Sequence, residues 1–201
     1  DEDLMVDHAG ESWAAPREER SPSGIATRTV IADASRFFDL NNLAVAPTSL
    51  AARASSDILL DIMTQCGDFS AIEKTDALID WADDNDEGAY ETLFYKQAEP
   101  PYAPANRVVY AWDELLRVQG FSRDLFKRHE RHAARENFKM ALVDCVTLIP
   151  GARTRPAPIN VNTAGLGVLL GALGLAQDEL ARQTIALRGI QPIRPVDARL
   201  A

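Results

Sequence analysis

An acidic stretch, DWADDNDEGAYETLFY, runs from Asp80 to Tyr95 and contains no Lys or Arg. Carboxylates packed into one turn repel each other, so the turn must be fully solvated or neutralised by a bound cation. Asn85 and Gly88 stand where a tight turn needs residues of their kind. The stretch therefore predicts a tight acidic loop and leaves two alternatives, a solvated surface and a cation site.

Part of the stretch imitates a calcium-binding loop. The pattern D-x-N-x-E-G that begins at Asp83 copies the first half of an EF-hand loop, but the twelfth position is Phe94 and not a bidentate Glu. An EF-hand is therefore not expected. The cation alternative is an irregular oxygen-rich calcium site, with Glu91 reaching back from the next helical turn. Calcium suits such ligands because it accepts hard oxygen ligands in loose geometry. The absence of Cys and His from the acidic stretch argues against zinc.

The overall charge restricts the class of function. The chain has 201 residues, a formal net charge of −9 and a pI near 4.8. A protein that binds nucleic acid freely should present a basic surface, so this balance argues against one. No apolar run approaches the roughly 18 residues of a membrane span, and no signal peptide is visible.

The two cysteines, Cys66 and Cys145, form no metal-binding motif. In an oxidising compartment they could pair as a disulfide, and the alternative is a pair of buried thiols. The sequence leaves both alternatives open.

The first half of the chain predicts strands followed by helices. Alternating residues after Gly24 predict a strand, and RFFDLNNL predicts a second one, ended by Asn41 and Asn42 bonding neighbouring backbone. From Ser49 the period becomes helical, and Gly67 is placed to end that helix. A capping box, Ser-x-x-Glu, predicts that a second helix begins after residue 70 and leads to the acidic stretch.

The basic segment in the second half predicts a helix. Ser122 is placed to cap a helix that continues through residues 127–135, which contain His129 and His132. On a helix these histidines could share a metal, but no third ligand is evident, so surface histidines are the preferred interpretation.

The C-terminal part predicts a helical hairpin. Ile159 and Val161 alternate as a short strand, and Asn162 or Thr163 is placed to cap a helix that ends at residue 174. A second helix follows over residues 177–188, and a Gly-containing turn joins the two.

Three functions are compatible with these residues. The preferred one is an extracytoplasmic α+β binding or structural module with a cation site. A metal-dependent hydrolase would hold a metal on Asp80 and Asp83 to activate water, but a distinct general base is missing. A nucleic-acid-binding protein would use the helical hairpin, but the residues flanking its turn are not basic.

Five segments, in order, resemble one protein family, the K-type minor pseudopilins of bacterial type II secretion systems. RFFDLNNL is similar to the family's RFNLNNL, and LIDWADDND to its Leu-x-Asp-Trp-x-Asp-x-Asp segment. PPYAPANR and DELLRVQGF are similar to two further elements, and PINVNTA matches the family's strongest signature. The segments are Arg36–Leu43, Leu78–Asp86, Pro100–Arg107, Asp113–Phe121 and Pro158–Ala164.

The resemblance implies an α+β fold in which a large, mostly α-helical domain containing the helical hairpin interrupts a pilin-like αβ domain. We expect residues 1–49 to be the pilin-like portion, 50–190 the inserted domain and 191–201 a tail returning to the pilin-like domain. The resemblance also implies a non-enzymatic subunit at the pseudopilus tip, which initiates assembly with the I-type and J-type minor pseudopilins. It would belong to the inner membrane, with this domain in the periplasm.

The family binds calcium at its acidic loop, so the resemblance implies calcium as the cofactor here. The ligand candidates carried over by position are Asp80, Asp83, Asn85 and Glu91, with Asp86 and Glu87 behind them.

Three departures from the family pattern affect these expectations. The family's Gly-Ala-Glu-Asp element reads Gly-Ala-Tyr-Glu over residues 88–91, so a ligand is either lost or replaced by Glu91. The hydrophobic N-terminal anchor helix is missing, and we expect it to have been trimmed. The strands that complete the pilin sheet are not evident after Leu187, so either the chain is cut short or this homologue differs.

Overall fold

The computed structural model describes most of the chain, with side chains except those of residues 125, 126 and 129–139. The described residues are 6–45, 54–127, 129–133, 136–151 and 154–194. The predicted boundary at residue 49 and most of the predicted tail lie outside them, so the division into domains stays a prediction. None of the described helices is long and apolar enough to cross a membrane.

Among the described residues, six α-helices carry most of the regular structure. They are α1 (Ser55–Gln65), α2 (Ala71–Ala82), α3 (Thr92–Tyr95), α4 (Trp112–Leu115), α5 (Leu166–Leu173) and α6 (Asp178–Arg188). Gly67 follows the C-terminal cap of α1 and has a φ of +76°, a backbone conformation that favours glycine. Helices α5 and α6 pack together, which confirms the predicted helical hairpin.

The strands of the described residues form three separate two-stranded sheets. They are β1 (Arg17–Arg20), β2 (Ala26–Thr29), β3 (Phe38–Asp39), β4 (His129–Ala133), β5 (Glu136–Met140) and β6 (Val146–Thr147). Strands β1 and β2, and likewise β4 and β5, pair as antiparallel hairpins, whereas β3 and β6 are parallel neighbours from distant parts of the chain. Helices and small sheets together confirm the α+β class.

Helix α1 lies in the centre of the core, between α2 and α5. Its residues Leu59, Ile62 and Met63 are fully buried, as the helical spacing predicts. Gly171 lets α5 approach, because a Cβ there would lie 2.6 Å from Ile62 Cγ1. The apolar contacts of this layer hold α2 in place, and α2 carries the acidic stretch.

The prediction of a long helix that begins after Ser122 is wrong. The Ser122 hydroxyl does accept a hydrogen bond from the Asp124 N–H, at 3.2 Å, but the helix is a 3-10 helix of four residues, Arg123–Phe126. The backbone then pairs as the β4–β5 hairpin, with His129 opposite Met140. Because His129 and His132 lie on a strand, the helical spacing that could let them share a metal is absent.

Three further local predictions are wrong. Ser70 does not form a capping box, since its side chain makes no capping hydrogen bond and its hydroxyl bonds to Asp68 Oδ1 at 3.0 Å. The PINVNTA segment contains no strand, because residues 161–163 form a turn closed by the Ala164 N–H donating to the Asn160 carbonyl at 2.9 Å. Helix α5 therefore begins after Gly165, and neither Asn162 nor Thr163 caps it.

Three buried asparagines bond backbone, but not neighbouring backbone as the sequence predicts for Asn41 and Asn42. Each side-chain amide donates to the carbonyl and accepts from the N–H of one residue in a distant segment, as a β-bridge partner would, with distances of 2.7–3.1 Å. The pairs are Asn41 with Val109, Asn42 with Ala157 and Asn162 with Ile193. These amides therefore link segments that are not paired with each other in any sheet of the described residues.

Candidate metal centre

The acidic stretch folds into a loop that brings three carboxylates together. Asp80 lies in the last turn of α2, Asp83 is the residue that caps the C-terminus of α2, and Glu91 is the residue just before α3. One oxygen from each carboxylate lies within 4.8 Å of the other two. Asp80 and Glu91 are almost completely buried, at 7% and 5% exposure, and Asp83 is half-buried.

Gly88 permits the loop to close over Asp80. A Cβ at position 88 would lie 2.3 Å from Asp80 Oδ2 and 2.4 Å from Asp80 Cγ, closer than any side chain could come. The next contact is a hydrogen bond, in which the Tyr90 N–H donates to Asp80 Oδ2 at 2.8 Å. The loop backbone therefore lies directly on the Asp80 carboxylate and directs the chain back toward it at Glu91.

Three carboxylate oxygens in this group are buried without a hydrogen-bond partner among the described residues. They are Asp83 Oδ1, Glu91 Oε1 and Glu91 Oε2. Buried polar atoms in native proteins nearly always have a partner, because leaving one unpaired costs about 1–3 kcal/mol and more for a charge. Within the described part of the chain, no Lys or Arg forms an ion pair with the group. These oxygens therefore lack a partner that a water molecule, a proton or a bound cation could supply.

The pKa values of Glu91 and Asp83 also reflect the lack of a counter-charge in the group. Burial, followed by the nearby charges of Asp80, Asp83 and Asp86, raises the pKa of Glu91 to about 7. Burial likewise raises the pKa of Asp83, with Asp80 and Asp84 adding to it and hydrogen bonds from Asn85 opposing it. Without a counter-charge, the fold disfavours the ionised form of these carboxyls.

The end of α2 is also the end at which a cation is favoured. A helix carries a partial negative charge at its C-terminus, so a carboxylate there is unfavourable by about 0.3–1 kcal/mol. Asp80 and Asp83 both lie at that end. A cation held between them would be attracted by the two side chains and by the helix dipole together.

Aromatic packing fixes the frame behind the three carboxylates. Trp81, which follows Asp80, packs edge-to-face on Tyr95 with ring centroids 5.3 Å apart, and both rings are buried. The Trp81 indole N–H donates to Glu114 Oε1 at 3.2 Å, and the Tyr95 hydroxyl accepts from the Gln119 N–H at 3.1 Å. The two helix ends that carry the carboxylates are therefore held by one cluster of rings.

The structure places the six predicted ligand candidates in two sets. Asp80, Asp83 and Glu91 form the buried group, whereas Asn85, Asp86 and Glu87 are exposed on the loop above it. The Asn85 side chain accepts a hydrogen bond from the N–H of residue 87 at 2.7 Å, so it shapes the turn.

Sequence reasoning did not find the closure of the loop on Asp80 by Gly88. The only signal was the glycine itself, which the sequence indicates as a turn residue. It could not show that the approaching group is a carboxylate eight residues earlier. The sequence also could not choose between a disulfide and two thiols for Cys66 and Cys145, and in the structure both are buried thiols.

The donor set fits a hard cation. Three carboxylates grouped beneath one loop can supply oxygen ligands singly or in pairs, and calcium takes about six to eight oxygen ligands at 2.3–2.6 Å. Magnesium demands a more regular octahedron and keeps several waters, and zinc prefers nitrogen and sulfur ligands. The chemistry of the group therefore suits calcium best.

Comparison with known proteins gives one consistent result. Residues 36–134 match the family model described as Type II secretion system (T2SS), protein K. Type II secretion system protein K of Aeromonas hydrophila is 30% identical over 104 residues, which are 49% of this chain and 31% of that protein.

A solved structure has the same fold. A chain in the crystal structure of the GspK-GspI-GspJ complex, from the type 2 secretion system of enterotoxigenic Escherichia coli, superposes with a TM-score of 0.67 at 22% identity. The superposition covers 97% of this chain and 64% of that one. This chain thus spans less than two thirds of either relative.

The comparisons first indicate the class of proteins to which this chain is similar, the components of the bacterial type II secretion system. Within that class, residues 36–134 belong to the protein K family, and the resemblance to the K-type minor pseudopilins is confirmed. That family is a structural part of the secretion system and not an enzyme family.

Proposed function

We propose that this chain acts, without catalysis, as a K-type minor pseudopilin at the tip of the type II secretion pseudopilus. The match of residues 36–134 to the protein K family carries the proposal. The partners would be the I-type and J-type minor pseudopilins, since the solved relative comes from a GspK-GspI-GspJ complex. Together the three subunits would initiate pseudopilus assembly on the periplasmic side of the inner membrane.

The partner proposal is tested by mixing this chain with the periplasmic domains of the I-type and J-type pseudopilins. Size-exclusion chromatography with light scattering measures the mass of what forms. We expect a complex with one copy of each subunit. Elution of three separate proteins, at concentrations where the I and J domains bind each other, would contradict the proposed partners.

The proposed cofactor is calcium, held by Asp80, Asp83 and Glu91. What supports this is the pair of Glu91 oxygens, which are buried, acidic and without a partner among the described residues. Asn85, Asp86 and Glu87 would contribute from the exposed loop, directly or through water. When bound, the ion would neutralise the repulsion of the buried carboxylates and fix the end of α2 to the start of α3.

Calorimetric titration with calcium tests this cofactor. The wild-type protein should bind calcium and Asp83→Asn should bind it at least ten times more weakly, because a charged ligand becomes neutral. Asp84→Asn is the matched control, since Asp84 is in the same loop but is exposed and outside the group. Equal calcium affinity in Asp83→Asn and wild type would contradict the proposed ligands.

The geometry does not favour the two alternative functions. A hydrolase would have to admit substrate to its metal, but Asp80 and Glu91 are almost completely buried and the loop closes on them. A nucleic-acid-binding hairpin would present a phosphate site at the N-terminus of α6. That first turn carries Asp178 and Glu179, whose charges repel phosphate.

A further inference from the structure

A groove of about 780 Å³ lies between the N-terminal segment, the loop after β2 and the end of α6. Trp13 lines it from the first of these, residues 30–33 and Arg36 from the second, and Arg188 from the third. None of the three grouped carboxylates of the metal centre lines it. The groove is therefore separate from the acidic site described above.

Two arginines of this groove, Arg36 and Arg188, are held beside one short segment, residues 160–161. The Arg188 guanidinium donates a hydrogen bond to the Val161 carbonyl at 2.6 Å. The carbonyl of Ser35, the residue before Arg36, accepts a hydrogen bond from the Asn160 N–H at 2.8 Å. Hydrogen bonds to two successive residues therefore bring both arginines to the same place, and both line the groove.

Neither arginine has an acidic partner among the described residues. The ion pairs of that part of the chain do not include Arg36 or Arg188. The Arg36 guanidinium lies over the Phe37 ring, 5.2 Å from its centroid. The pKa of Arg188 is lowered, first by its half-buried position and then by the charge of Arg36. The groove therefore has two positive charges that an anion would neutralise.

Asp33 is the one carboxylate among the described residues that line the groove. Its Oδ1 accepts a hydrogen bond from the Ser35 N–H at 2.8 Å. Its Oδ2 accepts two, from the Asn160 side-chain amide at 2.9 Å and from the Thr163 hydroxyl. These bonds satisfy both oxygens. One carboxylate against two arginines leaves the groove positive, although the whole chain has a net charge of −9.

The rest of the wall is largely apolar and exposed. Val30, Ile31 and Ile190 line the groove, with exposures of 61%, 48% and 83%. The Trp13 ring also lines it, and its indole N–H donates to Glu11 Oε2 at 2.9 Å, which fixes the ring. Large apolar side chains that are grouped and exposed mark interaction sites. A ligand that fills this groove should therefore carry an apolar group next to its negative charge.

We propose that this groove binds an acidic segment of a partner protein, with a carboxylate on its two arginines and a neighbouring apolar side chain against Trp13 and Ile190. Charge complementarity supports this occupant, because guanidinium groups pair with carboxylates in short, charge-assisted hydrogen bonds. A small inorganic anion would leave the apolar wall exposed. An anionic membrane surface would be repelled by the net charge of −9. The inference does not depend on the proposed function.

Fluorescence anisotropy of a labelled hexapeptide of alternating leucine and glutamate tests the proposal on the purified chain. This peptide should bind about tenfold more tightly than the same peptide with glutamine in place of glutamate, because the charge-assisted bonds are lost. It should also bind more tightly than a peptide with serine in place of leucine, which cannot fill the apolar wall. Equal binding of the glutamate and glutamine peptides, or no binding of the glutamate peptide, would overturn the proposal.

Arg36→Gln is the variant that tests the site, since the contact of its guanidinium in the described structure is with the Phe37 ring and its loss should leave the fold intact. It should bind the glutamate peptide about tenfold more weakly. Arg182→Gln is the matched control. It removes the same charge from α6, where Arg182 pairs with Asp178 and does not line the groove. Thermal melts establish that both variants are folded, and unchanged affinity in Arg36→Gln, or an equal loss in Arg182→Gln, would overturn the proposal.

Two further measurements separate this occupant from the alternatives. The first is sedimentation velocity of the chain alone, in which an association that Arg36→Gln abolishes would show that a second copy fills the groove. The second is competition by sulfate at constant ionic strength, which should displace the labelled peptide much less effectively than unlabelled peptide does. Displacement at equal concentrations would identify a small-anion site, and either of these contrary results would overturn the stated partner.

Discussion

Asp80, Asp83 and Glu91 together form the acidic centre, and Glu91 is the residue that determines its behaviour. Both of its carboxylate oxygens are buried without a partner among the described residues, and its neighbours in space are the acidic Asp80 and Asp83. A buried charge of this kind lowers stability unless a cation balances it. The Glu91 carboxylate should therefore destabilise the metal-free protein and stabilise the calcium-bound protein.

Glu91→Gln should stabilise the metal-free protein and remove its response to calcium. In a chelator at pH 8, replacing the carboxylate by a neutral amide removes a buried charge, so the free energy of unfolding should rise by about 2 kcal/mol, or about 5 °C in Tm. In excess calcium the wild type should gain a similar amount and the variant nothing. Thermal melts of both proteins, with and without calcium, measure this.

Glu87→Gln is the control, because residue 87 lies in the same loop but is exposed. It should melt within about 1 °C of wild type in the chelator. A destabilised Glu91→Gln in the chelator would show that its carboxylate has a partner, contrary to the account.

The raised pKa of Glu91 predicts a pH dependence of the metal-free protein. The pKa is about 7 in the folded state against 4.5 for an ordinary Glu, so between these values the folded state binds more protons than the unfolded state. Stability then falls as pH rises from about 4.5 through 7, in contrast to the usual salt-bridged carboxylate. Melts in a chelator across this range should show the fall, and Glu91→Gln should lack it.

At the level of helices and loops, local patterns predict the helices that bury one face. Helices α1, α2, α5 and α6 follow from apolar spacing, and glycines mark the ends of α1, α5 and α6, because both signals are local in sequence. The β4–β5 hairpin could not be predicted in this way. Its basic sequence has good helix formers, and pairing between its two strands overrides that propensity.

The acidic centre was predictable in its charges and not in its geometry. The density of carboxylates and the resemblance to K-type pseudopilins indicate all three grouped residues. Which of the six candidates are buried depends on how the loop folds back onto α2. That depends on Gly88 lying against Asp80, a contact that spacing alone does not specify.

Gly88→Ala should open this loop. The added Cβ would overlap the Asp80 carboxylate, and either the loop backbone or the side chain must move, at a cost of about 1–3 kcal/mol. Calcium affinity should fall because Glu91 follows the displaced segment. Calorimetric titration and thermal melts measure both effects.

Gly165→Ala is the matched control, since a Cβ there meets nothing within 4 Å and the backbone is in an ordinary extended conformation. Its stability should change by no more than about 0.5 kcal/mol. Full calcium affinity in Gly88→Ala would show that the close approach is dispensable.

Across the whole fold, three buried asparagines, Asn41, Asn42 and Asn162, link distant segments in addition to the β3–β6 pair. Asn41 joins the loop at Val109 and also donates to the Ile149 carbonyl, so three parts of the chain meet at one amide. The sequence indicates backbone bonding for Asn41 but cannot identify the partners, because they lie 68 and 108 residues away.

Asn41→Ala should destabilise the fold strongly. It leaves the Val109 N–H and two carbonyls without their bonds in a buried place, which should cost about 3 kcal/mol. Asn85→Ala, at an exposed loop position, is the control for chelator conditions and should cost less than about 1 kcal/mol. Urea denaturation of both variants measures the difference. Equal unfolding midpoints would contradict the role of the Asn41 amide as a link between the three segments.

The most direct measurement is a native mass spectrum of this chain mixed with the periplasmic domains of the I-type and J-type minor pseudopilins in calcium. It reports the subunits and the bound ions in one experiment. The account predicts a complex with one copy of each subunit that carries calcium, with at least one ion lost in the Asp83→Asn variant. A spectrum containing only separate subunits, or a K chain free of calcium at saturating concentration, would contradict it.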